Sequence, residues 1–156
     1  MTRFLDSRFS VAMLVGAVWL ACAAPLAAQP ARLTAQTVAQ GLQHPWAVAF
    51  LPGGRFLVTE RPGRLRVVEA DGRLRPPVQG LPELDARGQG GLLDVITDSD
   101  FARNRRIYFC FSEPGQGMAN STALARARLS ADGERLEDVK VIFSQQPKVA
   151  STLHFG

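Results

Sequence analysis

Cysteine is scarce in this chain. Only Cys22 and Cys110 occur among 156 residues, and Cys22 lies in a segment expected to be removed. A single remaining thiol excludes a disulfide framework, so stability must come from packing. Aromatic residues make up 8% of the chain and do not interleave with its basic residues. The arginines stand singly or in pairs, as in Arg61, Arg64, Arg66, Arg73 and Arg75, separated by apolar residues and turns. That spacing predicts solvated strand faces and excludes a nucleic-acid stripe. Long amphipathic helical patterns are missing after Gln29. No nucleophile elbow surrounds Ser151 and Thr152, which argues against a serine hydrolase. Asp98-Ser99-Asp100 lacks the spaced glycine and closing glutamate of a calcium loop, and reads as a turn between strands.

What is present begins with a three-part leader. Arg3 and Arg8 are followed by an apolar run from Val11 to Ala24, short for a bilayer span, and then by Leu26-Ala27-Ala28. This is the plan of a secretory signal peptide over residues 1–28. A periplasmic or secreted protein is expected, with no stable membrane span after cleavage. Trp19-Leu20-Ala21 is a poor approach to a lipidated Cys22. The net charge of +4, less the +1 carried by Arg3, Asp6 and Arg8, leaves +3 on residues 29–156. At 46% hydrophobic and 21% charged, the composition is that of a folded soluble domain.

From Gln29 onward short apolar runs alternate with turn signals, which predicts an all-β fold. Leu33–Val38 is a candidate first strand. Trp46–Phe50, Arg55–Glu60 and Arg64–Glu69 follow, separated by Pro52-Gly53-Gly54 and Pro62-Gly63, with Asp71-Gly72 closing the last hairpin. The plan then returns as Leu92–Thr97, Arg106–Phe111, Thr122–Leu129 and Val139–Phe143. Cys110 is expected as a buried core thiol. Glu69-Ala70-Asp71-Gly72 and Ser130-Ala131-Asp132-Gly133 end the same kind of meander twice. Meanders repeating at about 40–60 residues predict propeller blades, here roughly the first two. Two blades leave unpaired faces, so the expectation is an incomplete N-terminal part of a larger domain.

The stretch around which this plan is organised is Gly88-Gln89-Gly90-Gly91-Leu92-Leu93-Asp94. Its glycines allow a tight turn and close approach to a ligand. Gln89 then offers donors and an acceptor without charge at the mouth of a strand. By itself the stretch is equally a glycine turn that only reverses the chain. His44, before Pro45, is expected to be structural.

With these residues in view, the chain resembles the glucose/sorbosone dehydrogenase family, the soluble pyrroloquinoline-quinone (PQQ)-dependent sugar dehydrogenases. It is most similar to their bacterial periplasmic aldose-oxidising branch. The resemblance rests on His44-Pro45-Trp46-Ala47-Val48-Ala49-Phe50-Leu51-Pro52, the Gly88–Asp94 stretch, Asp100-Phe101, Arg106-Ile107-Tyr108 and the terminal His154-Phe155-Gly156. It covers about residues 42–156. It implies a six-bladed propeller with PQQ and calcium at one end of the channel. It also implies oxidation of aldose sugars at the anomeric hydroxyl and an external electron acceptor. His154 matches the family's general base and Gln89 its active-site glutamine. Leu153 stands where the glucose-oxidising branch has an aspartate, which argues against glucose specificity. Most cofactor and calcium ligands would lie downstream of Gly156. The alternative is a non-catalytic secreted propeller that binds a protein or glycan; polar Gln89 and His154 favour the enzyme.

Overall fold

The structure is a computed structural model that describes residues 33–153. The leader 1–28 and His154 lie outside the described residues. Leu33–Val38, expected as a strand, is exposed and forms no regular element. The described residues from Gln36 onward form one compact unit.

Nine strands and one helical turn make up that unit: β1 (Pro45–Leu51), β2 (Arg55–Glu60), β3 (Arg64–Val68), β4 (Leu74–Pro77), β5 (Leu92–Thr97), α1 (Phe101–Asn104), β6 (Arg106–Pro114), β7 (Ala119–Leu129), β8 (Leu136–Ser144) and β9 (Val149–Ala150). They form two antiparallel meanders, β1-β2-β3-β4 and β5-β6-β7-β8, with β9 added to β7. The expectation of an all-β fold with two blade-like repeats is met. Two strands are missing from it: β4, whose Pro76-Pro77 end offers no N–H to a ladder and no alternation to read, and the two-residue β9.

The repeat is repeated in atomic detail at the third turn of each meander. Gly72 N–H donates to Glu69 O at 2.9 Å, and Gly133 N–H to Ser130 O at 3.0 Å. In both, the aspartate before the glycine accepts from the residue after it, Arg73 N–H on Asp71 and Glu134 N–H on Asp132, each at 3.0 Å. Each aspartate thereby mimics a backbone turn. Arg75 joins the two turns, donating to Asp132 O at 2.6 Å and to Glu134 Oε1 at 2.9 Å.

The core lies between the sheets. On β6 the inward residues are large and on β7 they are small: Ile107, Phe109 and Phe111 face Ala127, Ala125 and Ala123 across the ladder. All six are buried, so the alanines make room for the rings. The opposite faces are also apolar. Trp46, Val48 and Phe50 are 47%, 53% and 74% exposed on the first sheet, and Ile96 and Phe143 are 62% and 56% exposed on the second. A sheet with two apolar faces is built to be sandwiched, as propeller blades are. Cys110 belongs to such an outer face. It is half-buried beside Tyr108, Leu124 and Ile142, not in the core as expected, because strand alternation gives the inner side to Phe109 and Phe111. Burial, aided by Asp94, pushes its thiol pKa up, which favours the inert form.

Several arginines also depart from the expected solvated faces. Glu60 is fully buried at the end of β2, with Arg64 Nε at 2.6 Å and Arg66 Nη1 at 3.4 Å. Burial pushes the Glu60 carboxyl up, but hydrogen bonds from Arg64 and from the Gln43 N–H, with both guanidinium charges, outweigh it and hold the pKa low.

Candidate functional site

Gln89 and the segment leading to His154 meet at one end of the sheets. Four connections converge there: the β2–β3 turn at Arg61, the stretch Asp85–Gly91 before β5, the β6–β7 turn, and Gln145–Leu153 after β8. Gln89 is exposed on a tight turn with Gly88. Behind it Gly90 and Gly91 are buried against protein backbone. A Cβ on Gly91 would stand 2.0 Å from Arg61 O, so only glycine fits there, and its φ of +138° points to the same requirement.

The turn is held at nearly every peptide. Gln89 N–H donates to Thr152 O at 2.9 Å, Gly90 N–H to Arg87 O at 2.9 Å and Gly91 N–H to Ser112 Oγ at 3.1 Å. Arg61 Nη1 donates to Gly90 O at 3.0 Å and also to Gly88 O. Arg61 is fixed in turn, its N–H on His44 O and its carbonyl under Leu92 N–H, each at 3.0 Å. His44 thus contributes a main-chain carbonyl to this anchor.

The chain approaching His154 is tied down independently. β9 pairs with the start of β7, Ala150 with Ala119 and Val149 with Asn120. Lys148 Nζ lies 2.5 Å from Glu113 Oε2 and 2.9 Å from Ser121 Oγ. Hydrogen bonds from Lys148 and Ser144 hold the Glu113 carboxyl below its usual range. Asn120 Nδ2 donates to Ser151 O at 2.7 Å and to Asp85 Oδ2 at 2.8 Å. Asp85 is almost fully buried and paired with Arg87, whose Nε lies 2.8 Å from its Oδ1. The Arg87 hydrogen bonds hold the Asp85 pKa at about 2 against the opposing effect of burial. Leu153, the last described residue, is 58% exposed.

Sequence reading singled out Gln89 and His154 but missed Arg61, Asp85, Arg87, Asn120 and Lys148. Apart from the local Asp85–Arg87 pair, their partners are distant in sequence, so no local spacing marks them. Asp98-Ser99-Asp100 is the turn that was expected. Asp98 Oδ1 accepts from Asp100 N–H and Asn104 Nδ2, each at 2.9 Å, and Tyr108 OH lies 3.2 Å from Asp98 Oδ2. Among the described residues no three His, Cys, Asp or Glu side chains gather as a metal site, so none is assigned to calcium. Two cations beside this turn are engaged, Arg61 by the Gly88 and Gly90 carbonyls and Arg87 by Asp85.

Two four-stranded meanders with a braced polar loop at one end define two blades of a β-propeller. Residues 42–156 match the Glucose / Sorbosone dehydrogenase family. The chain is 42% identical over 130 residues to the aldose sugar dehydrogenase YliI of Escherichia coli, covering 83% of this chain and 35% of that protein. The crystal structure of the apo-form of the soluble aldose sugar dehydrogenase from Escherichia coli superposes with a TM-score of 0.73 at 43% identity, over 78% of this chain and 35% of that one. The PQQ-bound aldose sugar dehydrogenase of Streptomyces coelicolor does so with a TM-score of 0.65 at 30% identity, again over 78% and 35%. The chain belongs to the glucose/sorbosone dehydrogenase family, and it spans about a third of the length of these relatives.

Proposed function

We propose that the full-length protein oxidises aldose sugars at the anomeric hydroxyl, with PQQ and calcium as cofactors and an external electron acceptor. It would do so in the periplasm or as a secreted protein, after removal of residues 1–28. One PQQ-bound relative and the family match support the cofactor. The observation that carries the site is the bond from Gln89 N–H to the carbonyl of Thr152, two residues before His154. It ties together the two segments that bear the residues matching the family's base and glutamine.

Turning a hemiacetal into a lactone removes one hydroxyl proton and one hydride from the anomeric carbon. The bound quinone supplies the hydride acceptor. His154 takes the proton, and an imidazole titrating near neutral pH suits that work. Gln89 holds a sugar or quinone oxygen without adding charge, which leaves the proton transfer unopposed. Leu153 supplies no carboxylate beside His154, so a preference for aldoses other than glucose is expected.

The test is PQQ titration of the full-length protein with calcium, followed by dye reduction across an aldose panel. Stoichiometric quinone binding with sugar-dependent turnover is the expected result. A protein that binds no quinone would fit the second reading better, a secreted propeller that binds a protein or glycan.

A further inference from the structure

We propose that Arg61 is a positioning residue that sets the direction of the Gln89 side chain; this rests on the role proposed for Gln89 above. The Cα–Cβ bond of a glutamine on a glycine turn, from which its side chain departs, has a poorly determined direction unless both neighbouring peptide planes are fixed, because glycine resists few backbone rotations. Here the plane joining Gly88 to Gln89 is held at both ends. Its carbonyl accepts from Arg61 Nη1, and its N–H donates to Thr152 O at 2.9 Å. The plane joining Gln89 to Gly90 is held through Gly90 N–H on Arg87 O at 2.9 Å. The next plane is held through Gly90 O on Arg61 Nη1 at 3.0 Å and Gly91 N–H on Ser112 Oγ at 3.1 Å.

Nη1 carries two N–H groups, one for each carbonyl that brackets Gln89. A lysine ammonium is a point charge on a flexible stem and does not reproduce that fork. Arg61 can serve as a brace because its own main chain is anchored at His44 and Leu92 and is packed against Gly91. It belongs to the first sheet and the loop it grips belongs to the second, so the direction of Gln89 is set by how the two blades pack. Small errors in the placement of such a group cost rate, which is why the brace matters to turnover.

The experiment is a double-mutant cycle on the full-length, PQQ-loaded protein: Arg61→Ala, Gln89→Ala and both together, with kcat/KM and melting temperature measured for each. If Arg61 acts through Gln89, Arg61→Ala lowers kcat/KM by about 3- to 10-fold alone and less than about twofold when Gln89 is already alanine. Added guanidinium should restore part of the loss in the single variant and none in the double. An equal loss in both backgrounds, tracking a lowered melting temperature, overturns the proposal and leaves Arg61 a structural residue. So does an unchanged Arg61→Ala beside an impaired Gln89→Ala. A Gln89→Ala variant with full activity removes the role of Gln89 itself, and with it anything for Arg61 to position. Should Arg61→Ala fail to fold, Arg61→Lys carries the same cycle, with a smaller loss confined to the Gln89 background.

Discussion

The main-chain N–H of Gln89 lies 2.9 Å from the carbonyl oxygen of Thr152 and donates to it. The bond links the loop that opens the second sheet to the segment that leaves it. It joins the turn that carries Gln89 to the segment that precedes His154 in the chain.

Variants at these two residues should behave differently. His154→Ala removes the proposed base and little of the cofactor's surface. It should bind PQQ nearly as wild type does and lose kcat by about 10²–10⁴. Gln89→Ala removes a neutral hydrogen bond of about 0.5–1.5 kcal/mol, and its smaller loss should fall partly on KM. Steady-state dye reduction with both variants checks this. Near-wild-type kcat in His154→Ala would place the base elsewhere.

Acid should act on the site through Asp85. Its pKa in the folded protein, about 2, is below the ordinary value, so its contribution is complete above about pH 4 and is lost as pH falls toward 2. A depression of that size corresponds to on the order of 2 kcal/mol. Asp85→Asn should therefore lower stability at neutral pH by about that amount, with the gap from wild type closing between pH 4 and 2. Melting curves across that range measure it, and a gap independent of pH would contradict the assignment.

Glycine substitutions should separate close approach from turn geometry. Gly91→Ala must place a Cβ 2.0 Å from Arg61 O, whereas a Cβ on Gly53, at φ +77°, meets nothing within 4 Å. Gly53→Ala should cost about 1–2 kcal/mol from the left-handed backbone alone. Gly91→Ala should cost more than that and should also lower turnover, because it displaces Arg61 and the Gln89 turn together. Equal costs in denaturant melts would show that the loop yields easily.

Residues 29–156 expressed alone should be aggregated or poorly folded. Trp46, Val48 and Phe50 on one sheet and Ile96 and Phe143 on the other would stand bare in water. No dye-linked sugar oxidation is expected from this segment, even with PQQ and calcium added. A soluble monomer with a cooperative melt, seen by calorimetry and sedimentation, would count against that.

Export should end with cleavage near Gln29. N-terminal sequencing of the periplasmic protein tests it, and an intact Met1 on that material would be decisive against a cleaved leader.

Strands were legible where side-chain pattern and turn chemistry agree locally. β2 and β5 have the bounds expected from their apolar runs, Arg55–Glu60 and Leu92–Thr97. β6 and β7 run further than expected, into the loop between them, since Glu113 pairs with Ser121 and Pro114 with Asn120 across the ladder. Polar residues there gave no strand signal, because ladder hydrogen bonds come from the partner strand and not from the residue itself.

By itself the sequence determined the all-β class, the two meanders with their paired Asp-Gly turns, and a glycine-framed glutamine at the mouth of a strand. These are local properties: alternation has a period of two residues, and a turn needs only neighbouring backbone angles. The tertiary structure alone decided that Arg61 faces two carbonyls instead of water, that Asn120 links the Asp85 carboxylate to the carbonyl of Ser151, and that Gln89 bonds to Thr152. Each of these contacts joins residues far apart in the chain, so each exists only once sheet packing has brought their loops to the same end.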